Sequence, residues 1–203
     1  MDGLGYPDSY ADMDLLPWFF GWEAVKSHQN TRSWTIGVLR APARGIPIRR
    51  QSGGVVQGCE NLKEIDFGNG IEQIGGAENK HIFSGCPVEK LIFPPQVKEI
   101  GISAFYSCGE LKEIILEEGL KYIREGAFKN CPKLAEVNLP ESIKNVGLDA
   151  FVCEIAREKI QDININLTTI PKGLGRAIIH PGSMQTPRCV NVHVPNKNET
   201  FDF

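Results

Sequence analysis

Apolar residues between Leu62 and Cys153 recur in one short phrase, written four times. It runs Leu62-Lys63-Glu64-Ile65-Asp66-Phe67, then Val88-Glu89-Lys90-Leu91-Ile92-Phe93, then Leu111-Lys112-Glu113-Ile114-Ile115-Leu116, then Leu134-Ala135-Glu136-Val137-Asn138-Leu139. Each phrase has a shorter closing segment: Ile71 to Gly75, Val97 to Gly101, Leu120 to Arg124 and Ile143 to Gly147. The pattern predicts two short strands per unit, separated by turns such as Pro94-Pro95 and Gly119. Leu111, Ile114 and Leu116 of the first strand, and Leu120 and Ile123 of the second, are expected to face the core. After each closing comes a small residue or Ile, then Phe, then Cys: Phe83 and Cys86, Phe105 and Cys108, Phe128 and Cys131, Phe151 and Cys153. A fixed period of this length predicts a solenoid, in which no unit buries its apolar face alone. Stacked coils would form two parallel sheets with strands about 4.8 Å apart.

The spacing is 26 residues from Leu62 to Val88, then 23 to Leu111 and 23 to Leu134. The longer first unit comes from four residues inserted within Gly76–His81, less one step lost between Cys86 and Val88. Insertions in solenoids map to loops, so 76–81 is expected to bulge outward. Upstream, Val55-Val56-Gln57-Gly58-Cys59 resembles a worn unit ending, which starts the solenoid near residue 51. Residues 1–17 read as an irregular arm. Pro17 suits a first helical turn, and a short helix over about 17–28 is expected to lay Trp18, Phe19, Phe20 and Trp22 over the open end as a cap. Trp34–Leu39 reads as a strand. Beyond Cys153, Val152–Ile160 is helix-compatible, and Ile163-Asn164-Ile165-Asn166-Leu167 alternates like a strand with one wet face. Ile178–Pro181 and Val190–Pro195 read as two further strands, and together these suggest two worn repeats acting as a cap. The expected organisation is an arm and aromatic cap over 1–50, a solenoid over 51–153 and a degenerate C-terminal cap over 154–203.

Composition narrows the function classes. The net charge of -3 and the pI near 5.9 lack the basic stripe of a nucleic-acid binder. No apolar run approaches the ~20 residues of a membrane helix. The N-terminus lacks the basic start and apolar core of a secretory signal, so the chain reads as intracellular or as a segment whose leader has been removed. Of six cysteines, Cys59, Cys86, Cys108, Cys131 and Cys153 share one repeat position. They read as a column of small buried thiols, although adjacent coils would also bring them within disulfide reach.

The unit resembles the BspA-like (Treponema-type) leucine-rich repeat, and Ile100-Gly101-Ile102-Ser103-Ala104-Phe105-Tyr106-Ser107-Cys108 follows its ending step for step. Departures are Arg124 for Gly, Ile82 for Ala, the 76–81 insertion and the shortened Phe151-Val152-Cys153. The resemblance implies a mainly β fold with α+β elements at the ends: a right-handed leucine-rich-repeat solenoid of stacked parallel strands with non-repeat caps. It also implies a non-catalytic module at the cell surface or outside the cell that binds protein or glycan in adhesion, with no cofactor.

The exposed positions of the first strand are the candidate binding surface. Glu64, Lys90, Glu113 and Glu136 form one column, beside Lys63, Glu89, Lys112 and Ala135. These charges alternate in sign for most steps, and cross-strand pairing that sets register is the competing explanation. Asp66, Ile92, Ile115 and Asn138 form the column with two isoleucines on a wet face. The second strand carries Glu72, Lys98, Lys121 and Lys144, a weak basic stripe expected to be a solvated edge.

No phosphate-binding glycine loop, Gly-x-Ser-x-Gly elbow or His-Glu-x-x-His pattern is present. Cys189, His193 and His180 lack a fourth ligand for zinc, so no metal is expected. An alternative function is a structural or assembly component that docks through its non-repeat ends; exposed aromatics at 18–22 would favour it, and their burial on the first coil would favour recognition.

Overall fold

The computed structural model describes residues 23–26, 36–40, 62–68, 71–75, 80–154, 162–179 and 190–194, with only the backbone described for the first two segments. The elements are β1 Glu23–Lys26, β2 Ile36–Arg40, β3 Glu64–Asp66, β4 Gln73–Ile74, β5 Lys90–Phe93, β6 Glu99–Ile100, β7 Glu113–Leu116, β8 Tyr122–Ile123, β9 Glu136–Asn138, β10 Asn145–Val146, β11 Ile163–Asn166, α1 Leu174–Ile178 and β12 Val190–His193. They form a five-stranded sheet β12-β11-β9-β7-β5, a four-stranded sheet β10-β8-β6-β4 and a three-stranded sheet β1-β2-β3. All pairings are parallel except β1 with β2. The protein is a β-solenoid of about four repeat turns.

Register follows from which positions are buried. Leu62, Ile65 and Phe67 are buried, as are their counterparts Val88, Leu91, Phe93, then Leu111, Ile114, Leu116, then Leu134, Val137, Leu139. Slipping a strand by one residue would turn this whole set to solvent. The closing segments bury Ile74, Ile100, Ile123 and Val146 in the same way.

A third ladder runs along the corner that returns each coil to its start. Phe83, Phe105 and Phe128 donate their backbone N–H to the carbonyls of Ala104, Ala127 and Ala150, at 2.8, 2.8 and 2.9 Å. The corner needs a left-handed residue just before the Ala position: His81, Ser103, Gly126 and Asp149 have φ of 61°, 51°, 60° and 56°. Gly85, Ser107 and Asn130 supply a second, before the Cys, at 71°, 57° and 62°. Glycine and short polar side chains tolerate this region best. Inside the corner, Phe83, Phe105, Phe128 and Phe151 stack in one file, with centroids 5.3, 5.5 and 5.8 Å apart. Phe67 and Phe93 stack in a second file at 5.1 Å and meet the first edge-on.

The cysteines behave as the period suggests. Cys86, Cys108, Cys131 and Cys153 are buried thiols. The Cys108 Sγ donates to the Phe83 carbonyl at 3.2 Å, and the Cys131 Sγ to the Phe105 carbonyl at 3.3 Å. A hydrogen bond with Cys131, followed by burial, pushes the Cys108 thiol far above its ordinary range, so it stays protonated and remains a donor.

At the ends, two expectations are corrected. The helix predicted over 17–28 is replaced at Glu23–Lys26 by β1, antiparallel to β2. A helix this short is marginal alone, whereas the exposed edge of β2 offers a row of backbone partners. The strand at Trp34–Leu39 is found as β2, aligned parallel with β3 so that Val38 faces Glu64 and Arg40 faces Asp66. Of the strand predicted at Ile178–Pro181, Ile178 is instead the last residue of α1 and Ile179 is its extended C-cap, while His180 and Pro181 lie outside the described residues. Its buried residues are Leu174, Gly175, Ala177 and Ile178, of which Leu174, Ala177 and Ile178 follow a helical i, i+3, i+4 spacing. β11 and β12 form as predicted and continue the sheet, and Phe151 donates to Ala177 as earlier corners donate to an Ala. Residues 163–178 are thus a further coil, with a helix at its corner. Val152–Glu154 is irregular rather than helical. Trp18–Trp22, Val55–Cys59, 76–79 of the inserted loop, 155–161, His180, Cys189 and Asn196–Phe203 lie outside the described residues.

Candidate functional site

The parallel register brings one polar column onto the outer face of the five-stranded sheet: Lys90, Glu113, Glu136, Asn164 and Asn191. A second column starts with Ile92 opposite Ile115 and ends with Asn138, Asn166 and His193. Six of the predicted residues therefore share one face. Glu64 and Asp66 are not paired with them, because β3 pairs with β2 in the three-stranded sheet. The division falls where the Cys86–Val88 connection is one residue short. Asp66 accepts the Gly68 N–H at 2.8 Å and so shapes its own turn.

Most charges on this face are spent between coils. Lys90 Nζ lies 3.0 Å from Glu113, and Lys112 Nζ lies 2.7 Å from Glu89. The hydrogen bond from Lys112 holds the Glu89 carboxyl below its ordinary range, and Glu89 raises the Lys112 ammonium in turn. Lys133 pairs with Glu110 at 2.6 Å. Glu113 and Glu136 are the like-charged step, and Glu136 is compensated by Asn166 Nδ2 at 3.1 Å. What is left unspent is apolar: Ile92 is 51% exposed, and Ile115 beside it is half-buried.

Sequence reasoning missed the amide end of the face. Asn166 Nδ2 donates to Asn138 Oδ1 at 2.7 Å, and Asn191 Nδ2 to Asn164 Oδ1 at 3.1 Å. The signal was the alternation of Ile163–Leu167 and of Val190–Val194, which puts these amides on the wet face of their strands; the register with Glu136 and Asn138 comes from the pairing.

The four-stranded sheet presents a different face. Gln73, Glu99, Tyr122 and Asn145 are opposed in sequence along it. Glu99 accepts from Gln73 at 3.0 Å and pairs with Arg124 at 2.7 Å. That bond raises the Arg124 guanidinium further, and its carbon sits 4.9 Å from the Tyr122 ring centroid. Beside them run Lys98, Lys121 and Lys144, the backbone N–H groups of the last two donating to the preceding lysine's carbonyl, while Lys172 bridges Asn145 and so continues the Tyr122 column. At the corner, Lys129 lies 2.7 Å from Asp149 and 3.2 Å from Glu154. Burial pushes the Lys129 ammonium down, but the hydrogen bonds to these two acids outweigh it and leave it raised.

Among the described residues, no cluster of three His, Cys, Asp or Glu side chains suits a metal, and no helix is long and apolar enough to cross a membrane. The buried polar side chains Ser84 and Asn130 bond to the neighbouring coil, through Tyr106 O at 3.0 Å and Tyr106 Oη at 3.1 Å.

The family model described as a BspA type leucine rich repeat region matches six copies over residues 53–155. A similar solved structure is the crystal structure of a leucine-rich repeat protein from Bacteroides ovatus, 15% identical with a TM-score of 0.37, covering 83% of this chain and 65% of that one. The chain thus spans about two thirds of that protein's length. No curated protein matches it.

Proposed function

The chain belongs to the BspA-type leucine-rich-repeat family, and from that premise we propose that it is a non-catalytic recognition module whose five-stranded sheet binds a partner protein at the cell surface, in adhesion. Proteins of this repeat class are generally non-enzymatic and generally bind proteins. The observation that carries the reading is Ile92 with Ile115, an apolar pair on a solvent face where the charges around it are already paired. Small apolar centres with a polar surround are where interface energy concentrates. Lys90, Glu113, Glu136 and Asn138 form that surround; Glu64 and Asp66 would extend it across the division between sheets.

The test is capture of partners by the full chain and by an Ile92→Lys/Ile115→Lys variant, with Lys121→Glu on the other sheet as a control. Loss of a protein that the wild type and the control both retain supports the strand-face site. An identical set of partners on all three chains removes it. A second reading, an assembly component docking through its non-repeat ends, is favoured by β12, the outermost strand of its sheet among the described residues. Strand edges of this kind accept added strands. Partners retained by the isoleucine variant but lost when 190–203 are deleted would support that reading.

A further inference from the structure

Resting on the second reading above, docking through a non-repeat end, we infer that the outer edge of β12 binds a second copy of this chain, whose own β12 lies antiparallel across a two-fold axis at Val192. β12 is the last strand of its sheet among the described residues. The His193 carbonyl accepts from Leu167 N at 3.2 Å, so its backbone groups point back to β11. Backbone groups alternate sides along a strand. Those of Asn191 therefore also point to β11, and those of Val190, Val192 and Val194 point away from the sheet.

The two outermost strands differ in how they meet a newcomer. Edge strands that stay single are guarded by charges, prolines or bulges. β1 has such guards: its sequence holds Glu23 and Lys26, and its register with β2 shifts between Val25 and Lys26. β12 has none of them. Val190–Val194 contains no acid, lysine, arginine or proline, and its register with β11 runs unbroken from Val190 to His193. Its inner row is also incompletely covered. Val190, Val192 and Val194 are half-buried against the core, whereas Ile163, Ile165 and Leu167 on β11 are buried.

The strand's own sequence selects the occupant. Val190-Asn191-Val192-His193-Val194 reads the same in polarity from either end, with Val192 at its centre. An antiparallel copy turned about Val192 therefore sets Val192 against Val192 and Val190 against Val194. These are the residues whose backbone groups point outward, so each such pair exchanges both N–H···O bonds. Asn191 then faces His193 of the second copy at a non-hydrogen-bonded position, where side chains approach most closely. Asn191 Nδ2 donates to Asn164 Oδ1 at 3.1 Å, which leaves its carbonyl oxygen to accept from the facing imidazole. The two valine rows join on one side and the amide–imidazole pairs on the other. One strand from each copy makes a small contact, so the dimer is expected to depend on concentration.

The test is sedimentation equilibrium of the full chain from micromolar to millimolar concentration. A species of twice the chain's 22.5 kDa is expected to form and nothing larger, because a two-fold contact closes on itself. Asn191→Lys/His193→Lys, at two exposed positions, sets lysine against lysine across the axis and should weaken the dimer on the order of tenfold. Asn191→Asp/His193→Lys sets aspartate against lysine and should dimerise at least as tightly as the wild type. A monomer at every concentration, equal affinity in the two variants, or growth beyond the dimer would each overturn the inference. Dimerisation only after removal of 195–203 would overturn it too, by making that segment the occupant of the edge. A monomer that still loses a captured protein when 190–203 are deleted would overturn self-association and leave the second reading standing with a different occupant. A dimer that loses no captured protein on that deletion would support self-association alone.

Discussion

At the corner of each coil, Ala104-Phe105, Ala127-Phe128 and Ala150-Phe151 are wholly buried and chemically alike. On the outer face of the five-stranded sheet, positions in equally strict register hold Lys90, Glu113, Glu136, Asn164 and Asn191. Both regions repeat with the coil, but only the corner repeats its residues. A corner side chain packs on its own copy above and below, so any one coil's change is felt by two neighbours. A face side chain touches neighbours only through its tip, and many combinations of charge and amide satisfy that contact. Sameness marks what one coil reads of the next; variation marks what is left for solvent or a partner.

The most severe way to break this contrast is at the corner. Phe105→Ala removes a ring that stacks on Phe83 and Phe128 and meets Phe67 and Phe93 edge-on. It is expected to cost about 3–5 kcal/mol, read as a lower urea midpoint. Ile115→Ala, on the face, should cost far less; equal losses would erase the distinction.

Asn130 sharpens the same contrast by a smaller amount. It is buried at φ 62°, donates to Tyr106 Oη at 3.1 Å and accepts from the Glu154 N–H at 2.9 Å. Asn130→Ala loses both bonds and strains the backbone, for about 2–4 kcal/mol. Asn130→Gly loses the bonds alone and should be the milder variant by thermal melting. An alanine variant as stable as the glycine one would show that the left-handed turn is not a constraint.

The smallest effect is expected from the exposed Glu89–Lys112 pair. The folded Glu89 carboxyl is held low, so its contribution is complete above the ordinary glutamate range and disappears as pH falls through the depressed folded value. Lys112 is held high, so its contribution is complete below the ordinary lysine range and is lost as pH rises through the raised value. Lys112→Gln should leave the melting temperature near neutral pH almost unchanged and should flatten the acid limb of the stability profile slightly. A large drop would mean that face and corner are energetically alike.

Much of the fold was legible because burial with period is a collective signal. Leu62, Val88, Leu111 and Leu134 each announce the same inward position, and the cysteines follow as a column. The ends were harder, because β1 exists to pair the edge of β2, and four residues such as Glu23–Lys26 carry no pattern that reveals a partner elsewhere. α1 was hidden by Ile178-Ile179, which look like a strand unless Leu174 and Ala177 are counted with them. Of the candidate face, Ile92 and Ile115 were visible as apolar residues at wet positions. The amides of Asn164, Asn166 and Asn191 were seen as strand residues, but their place in the columns depended on a register that the decayed period does not state. Glu64 and Asp66 were assigned to the face because their phrase matches, and the sheet division before β5 is not written in that phrase.

That division has a mechanical meaning. If the molecule is pulled lengthwise, tension passes in series across every boundary between coils. From β5 to β11, each boundary is held by the first sheet, by the second sheet or its Asn145–Lys172 bridge, and by the corner. Between β3 and β5 the first of these fasteners is missing, while β4–β6 and the Phe83–Ala104 bond remain. Among the described boundaries from β3 to β11, this one would tear first, releasing Phe67 from its stack on Phe93.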